Sequence, residues 1–207
     1  MSRTSQAQRL SEEDLRPEVS SLEALNEALS ANPPLADSGR IVFGEGPVSA
    51  TIAFVGEQPG DEEDRMGRPF VGPAGHLLDG AMAEAGIDRS RVYLTNAVKQ
   101  FKFIERGKRR IHQKPSMSEV TRYRWWLKRE LDFVDPQMVV ALGATAALAL
   151  AGHRVTITKA RGPAQFDGRP GFVTVHPSYL LRIPNKEARK IAYEAFVADL
   201  RAIAGSP

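Results

Sequence analysis

The sequence predicts an α/β protein in which helices cover both faces of a central four-stranded parallel sheet, forming a three-layer αβα sandwich. Two observations support this fold class. Short apolar runs alternate along the chain with longer segments in which apolar residues recur at helical spacing. Glycine, proline or polar residues separate the two kinds of segment. Because parallel strands need crossover connections, strands that alternate with helices predict a parallel sheet.

The individual elements follow from the same patterns. The predicted strands cover residues 51–55, 92–94, 138–142 and 172–175, and the predicted helices cover residues 22–29, 74–85, 118–133, 144–150 and 186–203. Gly86, Gly152 and the pair Asp135-Pro136 follow helix ends, where residues of these types stop helices. We assign residues 1–40 to an N-terminal extension that carries the first short helix, and residues 41–207 to a single domain.

The composition excludes several kinds of site. There is no cysteine among the 207 residues, which excludes disulfides, thiol nucleophiles and cysteine-ligated metal centres. The four histidines lack the paired spacing of a metal site, and no cofactor is expected. No apolar run approaches the ~20 residues of a membrane span, and no signal peptide is found, so we expect a cytoplasmic monomer.

The net charge of +3 conceals an uneven distribution. Residues 1–64 contain 13 acidic and 4 basic residues, whereas residues 99–130 contain 11 basic and 3 acidic residues. A basic block of this kind is typical of a surface that binds a polyanion such as nucleic acid. A solvated helix face followed by a lysine-rich loop explains the same charges, and charge alone does not choose between the two.

Chemically active side chains follow three of the predicted strands. Glu57 comes just after the first strand, Asn96 after the second and His176 after the fourth. Ligands of open parallel sheets bind beyond the carboxyl ends of the strands, so an acid, an amide and an imidazole are predicted to meet in one crevice. The loop from Asn96 to Ser116 is long for a compact domain, and such loops are usually functional or disordered.

Spaced motifs carry a resemblance to a known family. Residues 56–60 (GEQPG) with 68–75 (RPFVGPAG), residues 95–99 (TNAVK) and residues 176–178 (HPS) resemble motifs of the family 4-like uracil-DNA glycosylases. The resemblance extends from about residue 42 to residue 203, so residues 41–207 are expected to form a catalytic domain of that type. It implies a protein that flips uracil out of DNA and cuts the bond between the base and its sugar.

A further segment resembles one class within that family. Residues 107–112 (GKRRIH) resemble the inserted arginine-rich loop of the X-type enzymes, and Gln58 after Glu57 also fits this class. In X-type enzymes the histidine of this loop attacks the sugar and stays bonded to the DNA. The resemblance therefore implies a covalent, single-turnover adduct between His112 and C1′ of the abasic deoxyribose.

The sequence departs from the family at its cofactor. Relatives hold an iron–sulfur cluster mainly through cysteines, but residues 31–34 (ANPP) replace the N-terminal pair here. Gln100 and Tyr123 stand at the other ligand positions, so no cluster is expected. Our hypothesis is that packing of Tyr123, Trp125 and Trp126 takes its place.

The resemblance also implies roles for single residues. Phe70 stacks on the flipped uracil, Asn96 pairs with its N3–H and O4, and His176 donates to O2 as the base becomes an anion. Glu57 stabilises the cationic sugar, positions a water or orients a nearby imidazole. The remaining assignments are Gly56 for uracil binding, Gln58 and Asp61 for catalysis, and Lys99, Lys108, Arg109, Arg110 and Ser178 for DNA contacts.

Ordinary structural explanations compete with these roles, namely a core phenylalanine, a turn-forming asparagine, a structural histidine and solvated acids. Three functions therefore remain open, all with uracil-containing DNA, including single-stranded DNA, as partner. They are covalent capture by His112, turnover through a water positioned by Glu57, and binding of uracil or abasic sites without cleavage. A nucleotide-dependent enzyme is disfavoured, because no Gly-rich dinucleotide fingerprint or P-loop follows any predicted strand.

Overall fold

The computed structural model describes residues 16–35 and 38–205, so residues 1–15 and 36–37 of the predicted N-terminal extension lie outside these ranges. In chain order the main elements are α1 (Leu22–Ala31), β1 (Ile52–Gly56), α2 (Asp61–Met66), α3 (Pro73–Ala85), β2 (Val92–Asn96), β3 (Phe103–Arg106), β4 (Arg109–His112), α4 (Met117–Val134), β5 (Met138–Leu142), α5 (Ala144–Ala151), α6 (Ile157–Ala160), β6 (Gly162–Phe166), β7 (Arg169–Thr174), α7 (Pro177–Leu181) and α8 (Lys186–Ala204).

The central sheet has five strands in the spatial order β2-β1-β5-β7-β6. The pairs β1–β2, β1–β5 and β5–β7 are parallel, which confirms the predicted four-stranded parallel core. The prediction missed β6, which adds to the edge antiparallel to β7. Its sequence, Gly162 to Phe166, contains a proline and alternates half-buried with exposed positions, as an edge strand tolerates, so it lacks the apolar run that marks the other strands.

Two separate apolar clusters fill the space between the sheet and the two helical layers. Side chains alternate between the faces of each central strand. On β1, Ala53 and Val55 belong to one cluster and Phe54 to the other. The first cluster packs against α4 and α5, and the second against α3 and α8. This confirms the αβα sandwich, and within the described residues no helix is both long and apolar enough to cross a membrane.

The part of the N-terminal extension that the structure describes packs onto the domain. Helix α1 begins after Ser21, whose hydroxyl accepts the Ala24 N–H at 3.1 Å and caps the first turn. Its Leu29 joins the first apolar cluster beside α4. The helix therefore belongs to the same layer as α4 and α5.

The long loop between Asn96 and Ser116 contains an antiparallel hairpin formed by β3 and β4. Gly107, at φ +62°, supplies the left-handed residue that its tight turn needs. The register pairs Phe103 with His112 at the open end of the hairpin and Arg106 with Arg109 next to the turn. The hairpin forms a second, separate sheet, and it carries His112 back toward the ends of β1 and β2.

Candidate active site

A cavity of about 1020 Å³ opens where the central strands end. Its walls include residues that follow each of the four parallel strands, as expected for an open α/β sheet. The lining residues with chemical interest are Glu57, Gln58, Asp61, Phe70, Asn96, His112, His176 and Ser178. The structure thus brings together residues that are up to 121 positions apart in the sequence.

Phe70 is held over the end of β1 by a tightly packed loop. It is buried and has a positive φ of 54°, which is unusual for a residue with a side chain. The loop is held by Glu63, whose carboxylate accepts the N–H groups of Gly60 at 3.0 Å and Gly72 at 2.9 Å. A Cβ on Gly56 would lie 2.7 Å from Phe70 Cζ and 2.4 Å from Asn96 Oδ1. Gly56 is therefore needed for Phe70 and Asn96 to approach each other.

Asn96 is the last residue of β2 and is almost completely buried. The segment after it is fixed to the end of β1, because the Ala97 N–H bonds the Gly56 carbonyl at 2.9 Å and the Val98 N–H bonds the Glu57 carbonyl at 3.0 Å. Among the described residues, Asn96 makes its hydrogen bonds to the protein through its backbone, and the residue lines the cavity. An amide at the cavity wall is therefore left for a ligand, with one acceptor and two donor protons.

His176 is a neutral donor by virtue of its surroundings. It precedes α7, and its Nδ1 accepts the Ser178 N–H at 3.1 Å and lies 2.8 Å from the Ser178 hydroxyl. Since a backbone N–H can only donate, the proton of the neutral ring belongs on Nε2. Burial lowers the pKa of His176 to about 4, and the positive charge of Arg182 adds to the effect. At neutral pH the ring thus offers one N–H without a net charge.

Glu57 and His112 face each other across the cavity mouth. The distance from His112 Nε2 to Glu57 Oε1 is 3.4 Å, and the other carboxylate oxygen accepts the Thr145 hydroxyl at the start of α5. His112 is 49% exposed, so solvent and a large substrate can reach it. A carboxylate at this distance favours a proton on the ring nitrogen that faces it, and leaves the lone pair on the other nitrogen.

Known proteins resemble this chain over most of its length. Residues 43–201 match the sequence model of the Uracil DNA glycosylase superfamily. The chain belongs to the uracil DNA glycosylase superfamily. It is 41% identical to a type-4 uracil-DNA glycosylase of Thermotoga maritima over 74% of this chain and 78% of the relative. It is also 35% identical to a type-4 enzyme of Sulfurisphaera tokodaii over 80% of this chain and 76% of the relative. A third type-4 enzyme, from Pyrobaculum aerophilum, is 34% identical over 69% and 74% of the two chains.

In this member of the superfamily the hairpin is anchored by residues that we expected to act on the substrate. Gln58 donates its side-chain amide to the carbonyls of Lys102 at 3.2 Å and Gln113 at 3.1 Å, the two residues that flank the hairpin. Its carbonyl accepts the Lys102 N–H at 3.3 Å. All three contacts hold the base of the hairpin. The amide group of Gln58 is therefore occupied within the protein, unlike that of Asn96.

Arg110 is the second anchor and is not the open phosphate contact that we predicted. Its Nε lies 2.5 Å from an Asp61 carboxylate oxygen, and its Nη1 bonds Asp64. Its guanidinium also lies 5.4 Å from the ring centre of Phe101 and 4.9 Å from that of Phe103. Asp61, predicted to be catalytic, is thereby paired with a cation. The acid-rich start of α2, which contains both Asp61 and Asp64, was the available sequence signal for this pairing.

Lys99 contradicts the prediction most directly, since we expected it to contact DNA phosphate. Its side chain is only 3% exposed and pairs with Glu130 of α4 inside the protein. The other predicted contacts differ among themselves. Lys108 and Arg109 are exposed at the tip of the hairpin, as a phosphate contact requires, and Ser178 is partly exposed but bonds His176.

The structure also tests whether an iron–sulfur cluster of the kind found in relatives fits this chain. At the expected place the Tyr123 hydroxyl donates to Gln100 Oε1, and Gln100 Nε2 donates to the carbonyls of Leu35 at 2.9 Å and Gly39 at 3.0 Å. Gln100 Oε1 also accepts the Leu35 N–H at 3.1 Å. Hydrogen bonds among neutral groups fill this position, and the sequence offers no thiolate. The residues do not fit a cluster.

Our packing hypothesis for this place is only partly right. Tyr123 is completely buried and takes part, but it also donates a hydrogen bond to Gln100. Trp126 packs at the margin of the first apolar cluster, and Trp125 stacks edge-on against it. Two further residues were missed by the sequence analysis: Glu63, which holds the loop of Phe70, and Thr145 as the partner of Glu57. Glu63 had a recognisable signal as the third residue of a helix after a glycine cap.

Proposed function

We propose that this DNA glycosylase excises uracil from DNA and then captures the abasic sugar covalently through His112. One observation carries the proposal: an aromatic ring, a free amide, a neutral imidazole donor and a carboxylate–imidazole pair lie around one cavity. The first three suit recognition of a pyrimidine, and the last suits attack on its sugar. The names of the type-4 relatives support uracil as the base.

Recognition of the base uses Phe70, Asn96 and His176. A uracil that has left the DNA stack packs its face on Phe70, whose ring centre lies 6.3 Å from that of His176 at an interplanar angle of 27°. The Asn96 amide accepts from uracil N3–H and donates to O4, a pattern that cytosine cannot match. The Nε2–H of His176 donates to O2.

Bond cleavage follows from the same contacts. When the bond between C1′ and N1 breaks, its electron pair stays on N1, so negative charge spreads over the uracil and positive charge over the sugar. A neutral N–H at O2 stabilises the developing anion, and the ring keeps its proton because its pKa lies far below that of an ordinary histidine. The Glu57 carboxylate stabilises the cationic sugar across the cavity mouth.

Capture uses the pair Glu57–His112. The ring nitrogen that does not face Glu57 gives its lone pair to C1′, and a C–N bond replaces the one lost to uracil. The ring then carries a positive charge, which it loses when the proton on its other nitrogen passes to Glu57 or to solvent. The two carboxylate oxygens are engaged by His112 and Thr145, which favours this role of Glu57 over that of holding an attacking water.

The partner we propose is single-stranded DNA that contains uracil, bound by one copy of the chain. The exposed Lys108 and Arg109 at the hairpin tip support an anionic strand beside the cavity. Sedimentation of the protein with and without such DNA tests the stoichiometry. A dimer at working concentration would contradict it.

The test of the whole proposal is an SDS gel of the protein with end-labelled, uracil-containing single-stranded DNA. A shifted band that survives denaturation is expected, and mass spectrometry of its digest should place the added mass on the peptide that contains His112. His112→Gly should lose the band yet still release uracil, because departure of the base depends on Asn96 and His176. DNA with thymine at the same site is the matched control.

Three outcomes separate the candidate functions. Released uracil without a shifted band in the unchanged protein would favour turnover by water. Retention of DNA without release of uracil would favour a binding module. An adduct that persists in His112→Gly would remove His112 from the mechanism and leave uracil excision standing.

A further inference from the structure

A buried ion pair lies beneath Asn96, and the proposed chemistry gives it no role. It joins Lys99, three residues beyond the end of β2, to Glu130 on α4, and each side chain is 3% exposed. Burial lowers the pKa of Lys99, and the charge of Glu130 opposes that change. Since a buried ion pair is often no more stabilising than apolar side chains of the same volume, stability alone does not account for it.

The contacts of the pair point to the strand end. The Lys99 ammonium has three protons, and its three acceptors are the Glu130 carboxylate, the Thr95 hydroxyl and the Asn96 carbonyl, the last at 2.8 Å. Glu130 in turn accepts the hydroxyls of Thr95 and Tyr93, each at 3.0 Å. Among the described residues, every polar contact of the two charged groups, other than the one between them, lies on β2 or just after it.

Asn96 needs such support, because among the described residues its hydrogen bonds to the protein are made by its backbone and not by its side-chain amide. Lys99 holds the Asn96 carbonyl, and the next two N–H groups, of Ala97 and Val98, bond the end of β1. Glu130 holds the ammonium in place and balances its charge. The chain of contacts from α4 to the amide is therefore continuous.

We propose that Lys99 and Glu130 are positioning residues that hold the Asn96 amide in the orientation that uracil requires. The inference rests on the proposed function of Asn96 as the group that pairs with the base. Loss of the pair should therefore slow departure of uracil and weaken the rejection of cytosine, with little effect on DNA affinity. It should do so through Asn96 and through no other residue.

The test uses the double variant Lys99→Met with Glu130→Gln, which leaves no unpaired charge in the interior. The amide carbonyl that Glu130→Gln introduces can still accept the hydroxyls of Tyr93 and Thr95, which protects the fold. Single-turnover uracil release is measured with and without Asn96→Ala. We expect the double variant to be about 10- to 100-fold slower than the unchanged chain, as misplacement of a contacting group by about 1 Å can cause. In the Asn96→Ala background it should cost less than about threefold, because coupled residues are not additive.

Two controls separate positioning from loss of stability. Leu127→Ala removes a buried side chain one turn from Glu130 on α4 and should lower the melting temperature without slowing uracil release. Hydrogen exchange of the Ala97 and Val98 amides should accelerate about tenfold in the double variant and stay unchanged in Leu127→Ala.

The outcomes are distinct. A folded double variant with the normal rate, or an equal slowing in the Asn96→Ala background, would overturn the inference. If the unchanged protein releases no uracil, the proposed function fails, and the exchange of Ala97 and Val98 still decides whether the pair positions this segment. Unchanged exchange there would refute positioning.

Discussion

Arg110 provides the sharpest test of how the hairpin works. Its side chain is 22% exposed and contacts two carboxylates and two aromatic rings that belong to other elements or to the base of the hairpin. Hydrogen bonds to charged groups contribute roughly 1.5–3 kcal/mol each. Since Asp61 is 35% exposed and Asp64 only 8%, we count chiefly the bond to Asp64. Arg110→Ala should therefore cost the docked hairpin about 2 kcal/mol.

That energy converts into a measurable ratio. About 2 kcal/mol lowers the ratio of docked to undocked hairpin by roughly 30-fold. In the mechanism that we propose, undocking carries His112 away from C1′ but leaves Asn96 and His176 in place. Uracil release should thus continue while adduct formation falls. A larger fraction of the excision events should therefore leave DNA that is not bonded to the protein. Parallel measurement of free uracil and of the shifted band gives the partition directly.

Arg110→Lys and Arg109→Lys make a matched pair of controls, since both keep the positive charge. Lysine at 110 loses the planar fork and should shift the partition in the same direction as alanine. At 109 the side chain is exposed, and the exchange should leave the partition unchanged. Equal partition in the two lysine variants would refute the argument that Arg110 acts as an anchor.

Three further predictions concern charge and stability. From pH 7 to pH 4.5, the free energy of unfolding of the unchanged protein should fall by about 2–3 kcal/mol more than that of His176→Gln, because the pKa of this histidine is 6.5 in the unfolded chain and about 4 in the folded one. The stability that His176 contributes is complete above pH 6.5 and is lost as the pH falls. Urea titrations that give the same pH dependence for the two proteins would contradict this prediction. Replacing Lys108 and Arg109 with glutamine should flatten the log–log salt dependence of binding to single strands by about 0.7 per lost phosphate contact, without changing the preference for uracil; an unchanged slope would place both cations away from DNA. Tyr123→Phe should lower the free energy of unfolding by roughly 1–2 kcal/mol in denaturant titrations and leave uracil release unchanged, because it removes one buried hydrogen bond between two residues that do not line the cavity. A normal stability would mean that Gln100 needs no hydroxyl.

Sequence patterns predicted the sheet more completely than the hairpin and the contacts around the site. Apolar periodicity placed the four parallel strands and the long helices to within about three residues, because those segments bury one or both faces. The hairpin was missed for the opposite reason. Its outer face is exposed and largely basic, and what holds it is an anchor on α2, about 46 residues earlier in the chain. Local sequence does not encode such a contact.

Lys99 shows the same limit in the site. It belongs to the block of positive charge between residues 99 and 130, and charge alone suggests the surface. Its environment is decided by Glu130, 31 positions later, which becomes a neighbour only after α4 packs on the sheet. By contrast, the places of Glu57, Asn96 and His176 followed from topology, since residues just beyond parallel strands must share one edge.

The anchoring of the hairpin has a consequence for engineering. Its partners Gln58, Asp61 and Asp64 all lie within seven consecutive residues, and the hairpin with its two flanking residues spans residues 102–113. These two stretches form one transferable structural unit, in which the residues beside the first strand bind the hairpin. The central sheet contributes no strand to the hairpin. A glycosylase that lacks both stretches would have to receive them together, because the hairpin without its binding residues would not hold the His112 imidazole in a fixed position.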